Sequence, residues 1–283
     1  MGFLRPARVD EALAALHDGG PSGAPWVIVA GATDHYPARV GRARVEDVLD
    51  VTAIRSLRGI GRVDGGWHIG ALCTWTELAE ADLPAMFDGL RAAALAVGGL
   101  QIQARGTIVG NVCNASPAAD GLPNLLALDA QVELSSRSAA RIVPIGMFVT
   151  GNRRTVRRAD ELVTGLFVPD PLPGADVRST FQKLGSRAYL VISIAMVAAV
   201  VEVADGRIRR ARIAVGACSE VAQRLDALEE ALAGQPATPD VAAIVQPEHL
   251  AGLAPIDDVR GTAAYRRDAA LELVRRSIAT VLA

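Results

Sequence analysis

Gly106-Thr107-Ile108-Val109-Gly110-Asn111-Val112-Cys113-Asn114-Ala115-Ser116-Pro117-Ala118-Ala119-Asp120 places Gly, Asn, Ser, Thr, Pro and Asp between two apolar-periodic segments. It reads as a binding loop. With no side chains at Gly106 and Gly110, backbone N–H groups can approach an anion closely, and Thr107, Asn111 and Ser116 add hydroxyl and amide partners without net charge. Phosphate suits such a loop. Composition alone describes an ordinary connecting loop equally well, because turns use the same residues.

A second glycine stretch, Ala30-Gly31-Ala32-Thr33-Asp34-His35, follows Trp26-Val27-Ile28-Val29, a β-branched run bounded by Pro25 and Gly31 that reads as a buried strand. Two loops of this kind could converge on the two phosphates of a dinucleotide. Ala30 to Asp34 with Pro37, Gly106 to Asp120, and Leu125-Leu126-Ala127-Leu128-Asp129-Ala130 together resemble the flavin loops of the FAD-binding medium subunit of the xanthine dehydrogenase and carbon monoxide dehydrogenase (molybdenum hydroxylase) family. The similarity runs from Phe3-Leu4-Arg5-Pro6 and Glu11-Ala12-Leu13 to Arg212-Ile213-Ala214-Val215-Gly216.

That resemblance implies noncovalent FAD. It places Ala30, Gly31, Ala32, Thr33, Asp34 and His35 on one side of the pyrophosphate and Thr107, Val109, Gly110 and Asn111 on the other. Ser116 and Asp120 are carried over as second-loop contacts, Asp120 toward the ribityl or adenosine hydroxyls. Leu166 is carried over as packing by the flavin, Lys183 as a cation near the isoalloxazine, and Tyr189 as a residue covering the ring. Two positions depart from the family's Ala-Gly-Gly-Thr-Asp and Thr-Ile-Gly-Gly-Asn: Ala32 and Val109 each replace a glycine. Alanine is a small change if its φ stays negative; a β-branched valine resists positive φ and must turn its side chain away from the ligand.

The 283 residues, 51% hydrophobic, suffice for two or three cooperating subdomains. With 29 basic and 31 acidic residues, the chain has no global charge favouring nucleic acid or an anionic membrane. Met1 to Glu11 has no secretory apolar region, so the expected location is cytoplasmic. The Leu190–Val201 run is too short to span a bilayer as a helix and reads as a buried strand. Cys73, Cys113 and Cys218 are too scattered for a disulfide framework, zinc site or iron–sulfur cluster and read as packed thiols. Walker A and Rossmann fingerprints are both missing, since Asp64 stands where Gly59-Ile60-Gly61 would need its third glycine.

Helical spacing over Val9–Leu16, the strand ending at Ala30 and an extended segment around Val45–Val51 suggest a small βαβ-type unit. Strands follow at Gly59–Val63 and Trp67–Ala71, with Thr74 capping a helical turn over Trp75–Ala79, and a longer helix over Ala85–Val97. Leu122–Leu128 reads as a helix, and Gln131–Leu134, Arg141–Ile145 and Glu161–Val168 as strands. Pro169-Asp170-Pro171-Leu172-Pro173-Gly174 excludes both helix and central strand and serves as the linker. Beyond it, Ser179–Lys183, Val191–Val203 and Arg207–Cys218 read as antiparallel strands, the last two joined by Asp205-Gly206. Helices follow at Asp226–Ala233 and Thr262–Leu282. In the last helix Leu271, Val274 and Ile278 oppose Arg266, Arg267, Arg275 and Arg276, read as a solvated face.

The expected fold is therefore α+β. Residues 1–170 form a two-subdomain FAD-binding unit (1–57 and 58–170) of the PCMH/VAO-like type that the resemblance implies. Residues 175–283 form an antiparallel sheet with helices, similar to the C-terminal domain of carbon monoxide dehydrogenase flavoproteins. The implied function is an electron-transfer subunit of a heterotrimer, with the molybdenum cofactor on a large molybdopterin subunit and [2Fe–2S] clusters on a small iron–sulfur subunit. A dimer of heterotrimers is compatible with this reading. The alternatives are a flavin-free scaffold subunit, motivated by Ala32 and Val109, and a stand-alone flavoprotein reductase.

Overall fold

The computed structural model describes residues 2–41 and 46–283, so Val45, the expected start of the second extended segment, lies outside the described residues. Strand β1 (Phe3–Leu4), helix α1 (Val9–Asp18), β2 (Val27–Val29) and β3 (Val48–Asp50) form the first unit. Its sheet has the order β1-β3-β2 with both pairings parallel, as a βαβ-type crossover requires. The entry to α1 is fixed by Glu11, whose Oε2 accepts from the backbone N–H of Ala7 (2.9 Å) and Arg8 (3.2 Å). A carboxylate there satisfies orphan donors and complements the helix dipole.

The second unit carries β4 (Ile60–Val63), β5 (Gly66–Gly70), α2 (Trp75–Glu80), α3 (Asp88–Ala96), α4 (Leu100–Arg105), α5 (Ile108–Asn114) and α6 (Gly121–Ala127). It continues through β6 (Gln131–Ser135), β7 (Ala140–Pro144), α7 (Ile145–Phe148), β8 (Val149–Gly151), β9 (Arg154–Thr155) and β10 (Leu162–Pro169). The main sheet is antiparallel, in the order β4-β5-β10-β6-β7. Thr74 caps α2 reciprocally: its Oγ1 accepts from Glu77 N–H (3.1 Å) while Glu77 Oε2 accepts from Thr74 N–H (2.7 Å). Two expectations are corrected here. The helix over Ala85–Val97 begins as a 3₁₀ turn at Ala85–Phe87 before α3, and the Gly106–Asp120 loop contains α5, with Thr107 as its cap.

The third unit is the antiparallel sheet β11 (Asp176–Leu184), β12 (Ala195–Ala204), β13 (Arg207–Gly216) and β14 (Gln223–Arg224), with helices α8 (Asp226–Leu232) and α9 (Ala263–Val281). Strand β12 reads as a continuous apolar run because it serves two cores. Ala195, Val197, Ala199 and Val201 face α8 and α9, whereas Ala198 and Val200 join the core of the preceding units. The strand begins at Ala195 rather than at Val191, and Leu190 and Ile192 are exposed.

Arginines fasten the two parts together. Buried Arg212 donates from Nε to the carbonyl of Ala127 (2.6 Å), from Nη1 to Asp129 Oδ2 (3.2 Å), and pairs with Glu202 (2.8 Å). Arg224 Nη1 donates to the carbonyl of Leu126 (3.1 Å) and to Asp129 Oδ1 (2.8 Å). Both cations thereby cap the last turn of α6, where unpaired carbonyls and the helix dipole favour positive charge. Arg266 also departs from expectation. It is 3% exposed, donating to the carbonyls of Ile194 and Ala217 and pairing with Asp258, so it belongs to the interior rather than to a solvated face.

Candidate functional site: two loops in contact

The first loop leaves β2 and turns immediately against the second. At Gly31 a Cβ would overlap the carbonyl oxygen of Arg105 and lie 2.9 Å from Cα of Gly106, so only glycine permits the approach. A Cβ on Gly106 in turn would stand 3.4 Å from Thr33 Oγ1. The two loops meet backbone to backbone, with Ala30 packed on the core beside them. Ala32 follows with φ of +56°, so the negative φ on which its tolerance depended is not adopted. A left-handed residue other than glycine carries a cost of about 1–2 kcal/mol.

His35 lies edge-on to Tyr36, with ring centroids 5.1 Å apart, and its Nε2 is 3.8 Å from Glu46 Oε2. Burial, then the positive charge of Arg39, pushes the imidazole pKa down, opposed by the carboxylates of Glu46 and Asp34. Asp34 extends outward to Arg153 (2.7 Å).

In the second loop Thr107 Oγ1 accepts from Gly110 N–H at 3.0 Å. A Cβ on Gly110 would lie 2.6 Å from that oxygen, so this glycine makes room for the cap as well as for any ligand. Cys73 O accepts from Ile108 N–H (3.1 Å) and Gly106 O from Trp75 N–H (3.2 Å), anchoring the loop to the start of α2. Val109 is 3% exposed with its side chain in the core, so it presents no side chain at the loop surface. The side chain does turn away, and the helical setting removes any need for positive φ. Ser116 Oγ accepts from Ala118 N–H (3.3 Å) and so serves its own turn.

Asn111 Oδ1 is buried without a hydrogen-bond partner, and a Cβ on Gly121 would come within 3.0 Å of it. Leaving such an acceptor unpaired costs about 1–3 kcal/mol, a cost a bound hydroxyl or amide would relieve. Next to Gly121, Asp120 is 5% exposed; its Oδ2 accepts from Lys183 Nζ (2.6 Å) and its Oδ1 from Ser193 Oγ (2.8 Å). Burial pushes the Asp120 carboxyl up from its ordinary value, opposed by Lys183 and Ser193. Lys183 is the only lysine in the chain, a signal available in the sequence itself.

The structure brings Gly31 and Thr33 of the first loop against Arg105 and Gly106 at the start of the second, and separately joins Asp120 to Lys183. It does not bring Leu166 to a loop surface: the residue is 0% exposed inside the main core, so its side chain can support a site only from behind. Tyr189 is 76% exposed. Arg153 and Ser193 were missed by sequence reasoning, Arg153 because an arginine in a Gly-Asn-Arg-Arg turn carries no pattern of its own. Burial raises the thiol pKa of Cys73 to about 12 and of Cys113 to about 11, as packed thiols require. Among the described residues no cluster of His, Cys, Asp and Glu could hold a metal ion, and no helix is long and apolar enough to cross a membrane.

Two glycine-dependent loops in backbone contact, an unpaired amide acceptor and a buried carboxylate–lysine pair are the polar features that the fold gathers here. Comparison with known proteins gives the family. Residues 1–171 match the FAD binding domain in molybdopterin dehydrogenase, and residues 180–281 the CO dehydrogenase flavoprotein C-terminal domain. The chain belongs to the family of FAD-binding subunits of molybdopterin dehydrogenases, and is an oxidoreductase subunit with an α+β fold.

It is 33% identical over 244 residues to the nicotinate dehydrogenase FAD-subunit of Eubacterium barkeri, covering 83% of this chain and 80% of that one. It is 28% identical to the nicotine 6-hydroxylase medium subunit of Paenarthrobacter nicotinovorans, covering 98% and 95%. Reconstituted CO dehydrogenase from Oligotropha carboxidovorans superposes with a TM-score of 0.87 at 26% identity, covering 100% of this chain and 97% of that one.

Proposed function

We propose that this chain is the FAD-binding electron-transfer subunit of a heterotrimeric molybdenum hydroxylase, accepting electrons from a [2Fe–2S] partner and passing them to an external acceptor. The observation that carries the reading is the backbone contact between the loops at Gly31 and Arg105, which forms one cradle from two distant stretches. Ala30–His35 and the Thr107–Asn111 turn would hold the FAD pyrophosphate between them, with the side chain of Val109 directed into the core. Bound FAD supplies chemistry that accepts and releases one or two electrons. The chain's own residues bind it, orient it and surround it with charge.

Asn111 offers its unpaired Oδ1 to a donor on the cofactor. Asp120, held between Lys183 and Ser193, offers a charge-assisted acceptor and fixes the ammonium of Lys183 in place. Ser116 shapes the loop, and Leu166 supports the site from the core. The molybdenum cofactor and the clusters are assigned to a large molybdopterin subunit and a small iron–sulfur subunit, because the three cysteines of this chain, at 73, 113 and 218, are too few and too far apart in sequence to ligate a cluster. The reading is of a cytoplasmic heterotrimer, compatible with a dimer of heterotrimers, with domain 1–170, comprising subdomains 1–57 and 58–170, joined to domain 175–283 by the proline-rich linker.

The test follows flavin absorbance after adding the large subunit's substrate to the assembled complex. Bleaching that requires the iron–sulfur subunit is expected. Bleaching by substrate without that subunit would show another route of electron entry and end this reading.

A further inference from the structure

We propose that Arg153 is a positioning residue that clasps the outer ends of the two cofactor loops and so sets how firmly the cradle retains its ligand, an inference that rests on the flavin reading above. Arg153 stands at the tip of the β8–β9 hairpin with φ of +59°. That conformation is unfavourable for arginine and persists where surrounding bonds over-determine it. Here they do. Its backbone N–H donates to the carbonyl of Ala115 (2.9 Å), closing the hairpin on the end of α5. Its Nη1 donates to Asp34 Oδ2 (2.7 Å) in the first loop and also to Asn114 Oδ1 in the second. One nitrogen thereby touches both loops.

The hairpin is held from the opposite side too. Glu220 Oε1, in the segment after β13, accepts from Asn152 N–H (3.2 Å) and from Arg154 Nη2 (2.9 Å). The clasp therefore links the C-terminal domain to both loops through one short turn. Gly31 joins the loops where they pack, while Arg153 ties residues 34 and 114 at the rim. The Arg153 side chain is 52% exposed, and an ion pair so open to water adds little to global stability. Its effect falls instead on the loops, whose ordering a ligand would otherwise have to supply from its own binding free energy. Arginine suits this task because one planar guanidinium can serve acceptors on two segments.

The experiment uses the protein purified with its partner subunits, stripped of flavin and titrated with FAD by flavin fluorescence. Arg153→Ala and Asp34→Ala are each expected to raise Kd about three- to tenfold, through faster release, with the unfolding midpoint unchanged. In the Asp34→Ala background, adding Arg153→Ala is expected to change Kd by less than about twofold, because the shared bond is already gone. Arg153→Gln keeps the stem without the charge and is expected to behave as the alanine variant does, which guards against a folding artefact. An unchanged Kd in Arg153→Ala and Arg153→Gln would overturn the clasp. So would an equal effect of Arg153→Ala in both backgrounds, which would mean direct contact with the ligand. A parent protein that binds no FAD would instead defeat the flavin reading itself.

Discussion

Two arginine clusters join segments distant in sequence, and they do so under opposite conditions. Arg212 is 4% exposed and pairs with Glu202, whose side chain is 0% exposed, at the seam between α6 and the C-terminal sheet. Arg153 is 52% exposed and reaches Asp34, itself 54% exposed, at the rim of the cofactor loops. A buried charge left without its partner is expensive, whereas an exposed one is re-solvated at little cost. The seam therefore maintains the fold, and the rim can vary the loops without disturbing it.

The largest expected effect breaks the buried side of that comparison. Arg212→Met leaves the carbonyl of Ala127 without its donor and takes one of two arginines from buried Glu202, which keeps Arg210 and the backbone N–H of Leu172, for a loss of about 3 kcal/mol, on the order of 5–10 °C in the unfolding midpoint. Thermal unfolding checks it, and FAD affinity in the protein that remains folded should be close to the parent's. Gly31→Ala is next and acts at the loops. The added methyl collides with the Arg105 carbonyl, and overpacking of about 1–3 kcal/mol should appear as roughly a 5- to 150-fold rise in the Kd for FAD.

A third prediction concerns pH. The backbone N–H of Arg260, then the side chains of Arg266 and Arg260, outweigh burial and hold the Asp258 carboxyl at about 2, below its ordinary 3.8. A depressed carboxylate stabilises the fold above its unfolded pKa and loses that contribution as pH falls through the folded value. Asp258→Asn should therefore remove about 1–2 kcal/mol at neutral pH and flatten the loss of stability between about pH 4 and 2. Denaturant midpoints across that range decide it.

The smallest effects sharpen the comparison at the loops. Lys183→Met removes a cation held 2.6 Å from Asp120 and should make the bound flavin harder to reduce, lowering its midpoint potential by on the order of 30 mV. Ala32→Gly relieves a φ of +56° and should leave stability equal or up to about 1 kcal/mol higher.

What the sequence disclosed follows the range of the interactions involved. Thr74 as a helix cap, the Asp205-Gly206 turn and the apolar β12 segment are local signals, and each matches an element of the fold. The glycines at 106 and 110 were legible as sites of close approach to an anion, and Gly31 as the turn that ends a strand. The carbonyl of Arg105 that Gly31 accommodates was not, because it arrives from 74 residues away. Arg266 read as surface from helical periodicity alone, since its acceptors at Ile194 and Ala217 come from another part of the fold. Arg153 was silent for the same reason: both its partners lie more than 35 residues distant.

The central claim is that two separate loops form one flavin cradle. The most direct measurement is the flavin content of the purified protein, taken as the chromophore released on denaturation and by titrating stripped protein with FAD. One noncovalent FAD per chain, lost or much weakened in Gly31→Ala while the fold is kept, is the predicted result. A colourless parent protein that FAD cannot reconstitute would contradict it.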